Sequence, residues 1–161
     1  MYLALFTDAY SKKIMGYKLD TNMRATLVKE ALEMALKNRT YNYKGIIHHS
    51  DRGIQYCCPE FSEFANKNGF ILSTTQQYDP YENAVAERVN GILKQEFNID
   101  KFNKDLPIMK QIIKESIEIY NEKRPHYSNY MLTPNQMHNQ NEIKMRTYKT
   151  KNSIKNVFDA V

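Results

Sequence analysis

The chain contains no tryptophan and only two cysteines, Cys57 and Cys58, among 161 residues. An adjacent pair supplies neither a disulfide framework nor, without further ligands, a zinc site. Glycine and proline number five each, and the collagen-like, disordered and coiled-coil classes are excluded as the main description. No apolar run approaches the roughly 20 residues of a membrane span. The start, MYLALFTDAY, lacks a basic region and carries an early Asp8, so neither a secretory leader nor a membrane partner is expected. The expected compartment is the cytoplasm. What is present is ordinary for one globular domain: 42% hydrophobic residues, 25% charged, and a length that supports a single core.

Charge is unevenly spread. Lys and Arg total 23 against 18 acids, a net charge of +5. Residues 1–100 hold 12 basic and 12 acidic side chains, whereas residues 101–161 hold 11 and 6, so the whole excess sits in the last third. Such a gradient suits a polyanion partner, because phosphate contacts supply sequence-independent affinity for nucleic acid; it equally suits a solvated surface.

Apolar patterning predicts two strands joined by a hairpin, Tyr2 to Phe6 and Lys13 to Leu19, with a turn around Asp8. Thr21 or Asn22 is expected to cap a helix carrying Leu27, Ala31, Met34 and Ala35, which ends near Lys37 to Arg39. A buried strand, Gly45 to His49, should follow, and strand, helix and strand in that order suggest a crossover with a parallel pair. Pro59 can open a helix that Asn68-Gly69 ends, and Phe70 to Ser73 reads as one more strand. Thr74 to Tyr78 is read as a polar loop. A helix is expected from about Pro80 to Phe97, with Asp79 as N-cap and Glu82 placed for a capping box. A long helix should carry Leu106, Met109, Ile113, Ile117 and Tyr120 and end before Pro125; the remainder, from about Arg124, is expected to be irregular.

Two places can carry chemistry. Asp51 ends the buried strand in His48-His49-Ser50-Asp51-Arg52-Gly53. Functional groups collect at the carboxyl ends of parallel strands, and Gly53 permits close approach, although an aspartate after a strand can simply cap a turn. The second place is the helix after Pro80. At 100° per residue, Ala86, Val89, Leu93 and Phe97 share one arc of the helix, while Asn83, Glu87, Asn90, Gly91 and Lys94 share the arc beside it. That polar face can be plain solvated surface. It can also offer one metal ligand, a flat spot at the glycine and several phosphate contacts. His48 and His49 alternate across a strand, so one should face the core, and a structural role is preferred to metal binding for them.

The strings HSDRGIQY and YENAVAERVNGILKQEF, the stretch from Tyr120 to His126 and the Thr133-Pro134 pair closely resemble the integrase core of bacterial insertion-sequence transposases, in the retroviral-integrase-like superfamily. The likeness covers Tyr2 to about His138. Asp51 and Glu87 are separated by thirty-five residues, the interval between the second and third acids of that family's Asp-Asp-Glu triad, and Lys94 matches the basic residue that accompanies the glutamate. The resemblance implies an α/β fold of ribonuclease-H type, a mixed sheet flanked by helices. It also implies a core over residues 1–140 with a basic tail over 141–161. Asp8 matches a hairpin acid rather than the first triad member, so the first strand and its aspartate are expected to lie upstream of Met1, as is a helix-turn-helix region.

The function implied is metal-dependent cleavage and strand transfer of DNA. Asp51 would be shared by two Mg²⁺ or Mn²⁺ ions and Glu87 would bind one of them. Lys94, Arg88, Asn83 and Asn90 would touch DNA, and a homo-oligomer on the element ends and target is the expectation. With two of three acids, this chain by itself is expected to show little or no activity. A remnant or partner subunit that binds nucleic acid without catalysis is the alternative. A ribonuclease would need four clustered acids, which the sequence does not offer.

Overall fold

The computed structural model describes residues 1–40, 45–75 and 83–140. The expected hairpin is present: β1 (Tyr2–Thr7) pairs antiparallel with β2 (Ile14–Asp20), with a bulge between Phe6 and Thr7. After β2 the Asp20 carboxylate accepts from the backbone N–H groups of Thr21 (2.6 Å) and Asn22 (3.4 Å). The expected cap residues are therefore held in a turn, and α1 (Ala25–Lys37) starts later, with Arg24 at the N-cap position and no side-chain cap.

β3 (Ile46–Ser50) does not form the expected parallel pair with β2. It pairs instead with β4 (Phe70–Thr74), through the short α2 (Ile54–Cys57), which the sequence reading did not anticipate, and α3 (Pro59–Lys67). Length does not choose between the two partners, because the stretches before and after β3 are both long enough for a crossover. The hydrophobic pattern sets the buried face of a strand but not its neighbour. Among the described residues β1 pairs only with β2 and β3 only with β4. The Phe6 and His48 rings, 4.9 Å apart, bring the two pairs together.

Two cores lie on opposite faces of the β1–β2 hairpin. On one face Ala4 and Phe6 pack with Leu27, Val28, Ala31 and Leu32 of α1 and Phe61 and Ala65 of α3. On the other, Ile14 and Leu19 pack with α4 (Ala84–Gln95) and α5 (Leu106–Lys123) through Val89, Ile92, Leu93, Met109, Ile113, Ile117 and Tyr120. Each fully buried Val, Leu or Ile contributes about 1.5–3 kcal/mol over its exposed state. Gly16 lets α1 press against β2: a Cβ there would lie 2.2 Å from the Ala31 carbonyl oxygen. The expected N-cap, Asp79, and Pro80 and Glu82 fall outside the described residues, as do 76–78 of the expected loop and the tail over 141–161. Helix α4 ends at Gln95, ahead of the expected Phe97, and that phenylalanine still packs on the core.

The segment after Arg124 is more ordered than expected. A 3-10 turn (Tyr127–Asn129) leads to α6 (Pro134–His138), which has a full capping box: Thr133 Oγ1 accepts from the Gln136 N–H, and the Gln136 side chain accepts from the Thr133 N–H. This segment and the last turns of α5 together grip the β1–β2 turn. The Asn121 amide accepts from Ile14 N–H (2.9 Å) and donates to Ile14 C=O (3.0 Å), Tyr120 donates to Lys12 C=O (2.8 Å) and Asn129 donates to Ser11 C=O (2.6 Å). Asp8 accepts from Ser11 and, at 3.2 Å, from His138 Nδ1. Between the turn and α6, Tyr130 and Met131 both take left-handed backbone angles, φ 55° and 64°, each costing roughly 1–2 kcal/mol for a residue with a side chain. No helix among the described residues is long and apolar enough to cross a membrane.

Candidate active site

Asp51 follows the last residue of β3, at the carboxyl end of a strand as expected, and is exposed. The chain leaves the strand there because the Asp51 carboxylate accepts from the Gly53 N–H at 3.0 Å, closing a tight turn. A Cβ on Gly53 would lie 2.9 Å from Asp51 Oδ1 and 2.5 Å from Gln55 Nε2, so a larger residue there would push both side-chain ends aside. Arg52 is turned away, donating from Nε to Thr75 C=O at 2.8 Å and tying the end of β3 to the end of β4.

Beneath Asp51 the strand is backed by rings. His48 faces the core, as expected of one of the two histidines, and meets Tyr56 (5.6 Å between centroids) and Phe61 (5.5 Å) besides Phe6. Burial, with the neighbouring His49 adding to it, holds the His48 imidazole down to about 4, so it is neutral at physiological pH. His49 is exposed and shares a hydrogen bond with Ser73 Oγ (3.0 Å). Tyr56 was not singled out from sequence. Burial and then the Asp51 charge push its phenol up to about 12, so it stays protonated beside the carboxylate. No periodic signal pointed to it, because the helix after Gly53 is only four residues long and its Ile54 is exposed.

Helix α4 supplies the second acid. Val89, Ile92 and Leu93 are buried, while Glu87, Asn90 and Lys94 are exposed and Asn83 and Gly91 half-buried. The helical wheel places Asn83, Glu87, Asn90, Gly91 and Lys94 on one side, as expected. A Cβ on Gly91 would meet nothing within 4 Å, so that face has a flat, open centre. Arg88 is a turn of 100° away from Glu87. Its charge acts on Glu96, Tyr120 and His126 rather than joining the Glu87 and Lys94 face. There Arg124 grips Glu96 in a two-pronged ion pair, both contacts 2.6 Å, joining the ends of α4 and α5.

Carboxylates at a strand end and on a helix face are the correct donors for a hard divalent cation. The described residues bring no three His, Cys, Asp or Glu side chains together into a metal-binding group. Asp51 and Glu87 each offer the oxygen donors such an ion takes, and the described residues do not gather them with a third ligand.

Two family models match the sequence, both described as integrase core domain, over residues 1–80 and 68–134. The transposase of insertion sequence element IS629 from Shigella sonnei is 36% identical over 94 residues, covering 58% of this chain and 31% of its own length. Transposase InsF of insertion sequence IS3fB from Escherichia coli K12 is 32% identical over 142 residues, covering 88% of this chain and 49% of its own length. The chain thus spans about a third to a half of these relatives. Among solved structures, the HTLV-2 integrase catalytic core domain in complex with magnesium aligns with a TM-score of 0.64 at 20% identity, over 84% of this chain and 83% of that one. That likeness is one of fold, of ribonuclease-H type, and the mixed α/β architecture expected from sequence is the one found. With integrase core models matching successive and overlapping parts of residues 1–134 and transposases identical at about a third of the aligned positions, this chain belongs to the integrase core domain family.

Proposed function

We propose that this chain is a core of a DNA transposase, acting on the ends of a mobile element and on target DNA in the cytoplasm, as a homo-oligomer. The observation that carries the reading is an exposed Asp51 at the carboxyl end of a parallel strand pair, with Glu87 and Lys94 together on the exposed face of α4. Asp51 and Glu87 would hold Mg²⁺ or Mn²⁺. Bound there, the ions would supply activation of a water or 3′-hydroxyl and charge neutralisation at the leaving oxygen. The protein's own part is placement. Lys94 meets a phosphate as a point charge, Asn83 and Asn90 donate amide hydrogens to phosphate oxygens, and Gly91 lets the DNA backbone lie flat on the helix. Arg88 reaches a phosphate further along, on the Arg124 side.

The third acid would stand on an extended segment lying between β1 and β3, completing one sheet from the two pairs. Neither strand is paired on that side among the described residues, which supports the reading. The same shortage of acids favours a second reading, a subunit that binds nucleic acid without cleaving it. Calorimetric titration with Mn²⁺ and a DNA nicking assay separate them, run on this chain, on Asp51→Asn, and on a version extended by a strand that bears an aspartate. The proposal expects weak or no heat and no nicking from the chain alone, and Asp51-dependent binding and nicking from the extended one. Nicking by this chain unaided would overturn the need for a third acid. Binding that is unchanged in Asp51→Asn would remove Asp51 from the site.

A further inference from the structure

The loop His126 to Leu132 is a closed knuckle. Met131 N–H donates to His126 C=O (2.9 Å), His126 N–H to Leu132 C=O (3.1 Å) and Leu132 N–H to Asn129 C=O (3.0 Å). Its inward residues, His126 and Asn129, are buried, and Asn129 is bolted to the β1–β2 turn. Its outward residues are large and apolar: Tyr127 is 77% exposed, Met131 61% and Tyr130 46%. Two of these three stand on left-handed backbone that costs free energy and that no glycine or asparagine relieves. A loop held rigid from below, strained along its crest and carrying two tyrosines in water is built to present those rings.

What the rings would meet follows from the charge around them. Lys12 is tied to the knuckle through Tyr120, whose ring lies 5.1 Å from that of His126 and whose hydroxyl donates to the Lys12 C=O; Arg124 and Arg88 also bear on His126, against Glu96, while Asp8 bears on Lys12. Arg88 is exposed, and Glu96 is already committed to Arg124. Aromatic rings beside an excess of cations match a nucleic-acid strand whose bases are unpaired: bases stack on rings while phosphates follow the cations.

We propose that the knuckle is a stacking platform for an unpaired nucleic-acid strand, with Tyr127 and Tyr130 under the bases and Arg88 and Lys12 along the backbone. The proposal rests on the reading of this chain as a DNA-acting core and adds a second contact region, separate from the Glu87 and Lys94 face. A polyanion arriving there is positioned by a loop that the fold holds still, so little ordering is required on binding.

The test measures affinity of the whole chain for a 20-residue single-stranded oligothymidine and for a duplex of the same length, at fixed salt. Replacing both tyrosines by alanine should weaken single-strand binding by at least about tenfold and leave duplex binding within twofold. Replacing both by phenylalanine should restore it, since the ring does the stacking. Ultraviolet crosslinking of an oligonucleotide containing 5-iodouracil should mark Tyr127 or Tyr130. An alanine pair that binds single strands normally overturns the proposal. So does a change in sedimentation without a change in affinity, which would make the knuckle a contact between copies. Lys94→Ala distinguishes the underlying reading. Loss of duplex binding there beside unaltered tyrosine variants refutes the platform alone, whereas tyrosine-dependent single-strand binding with no effect of Lys94→Ala refutes the placement of DNA on the α4 face.

Discussion

Glycine to alanine is the smallest change that adds a side chain, and at two positions of this chain it should act with opposite sign. At Gly16 the new methyl would stand 2.2 Å from the Ala31 carbonyl oxygen, 2.5 Å from the Ala35 nitrogen and 2.9 Å from Ala35 Cβ. The first two are helix backbone, which cannot rotate aside. Ordinary contact begins near 3.4 Å, so α1 would have to retreat by roughly 1.2 Å, the difference between 3.4 and 2.2. That lifts Leu27, Val28, Ala31 and Leu32 away from Ala4 and Phe6. Overpacking costs about 1–3 kcal/mol and the loosened core adds to it, for a total of about 3 kcal/mol. In a chain of this size the melting temperature should fall by about 6–12 °C. Gly91 is the control: nothing lies within 4 Å of its absent Cβ, so alanine gains about 0.5–1 kcal/mol of helix propensity. Urea denaturation followed by far-ultraviolet circular dichroism reads both. A Gly16→Ala chain within about 0.5 kcal/mol of the parent would refute the close approach of α1 to the sheet. A destabilised Gly91→Ala chain would refute the open face of α4.

Two further outcomes follow from the grip on the β1–β2 turn. Burial pushes the Asp8 carboxyl up, but hydrogen bonds from the His138 and Ser11 side chains and from the Ser11 and Tyr10 N–H groups outweigh it and hold the group down to about 2. Because the folded value lies below the unfolded one, the stabilisation is present above about pH 4 and is lost as pH falls towards 2. Allowing for partial solvent screening, the parent should lose about 1–2 kcal/mol over that interval relative to Asp8→Asn, measured by urea titration at each pH. Asn121→Ala should cost about 2–4 kcal/mol by stranding the buried N–H and C=O of Ile14, and hydrogen exchange at the Ile14 amide should quicken while that of Val28 on α1 follows global stability alone.

The elements that were legible in the sequence are those whose periodicity is long or whose ends are punctuated. Helix α5 declares itself through Met109, Ile113, Ile117 and Tyr120, and α3 through Pro59 and Asn68-Gly69. Asp51 could be placed at a strand end because the apolar run before it stops abruptly. The partner of β3 was not legible, since alternation sets faces and says nothing about neighbours. The start of α1 was misplaced because Thr21 and Asn22 are plausible caps in isolation, and only the Asp20 side chain decides that they form a turn. Helix α6 is too short for periodicity, yet Thr133, Pro134 and Gln136 carry the spacing of a capping box. The Asp8, Ser11 and His138 contact joins residues 127 and 130 positions apart, and no local pattern announces a partner at that distance. The two candidate acids were likewise found by resemblance and by strand and helix position, whereas the Tyr56 ring below Asp51 required the packing itself.

The Asn121 amide has one more consequence. By taking both the N–H and the C=O of Ile14, it occupies the place where a neighbouring strand would dock against the start of β2. Exposed strand edges are templates for uncontrolled growth into aggregates, and a side chain that imitates a strand closes such an edge without offering a new one. Growth of this sheet is therefore discouraged at the outer end of the hairpin and left open along β1. A chain with Asn121 replaced should not only be less stable; it should also become prone to stick to its own copies, edge to edge.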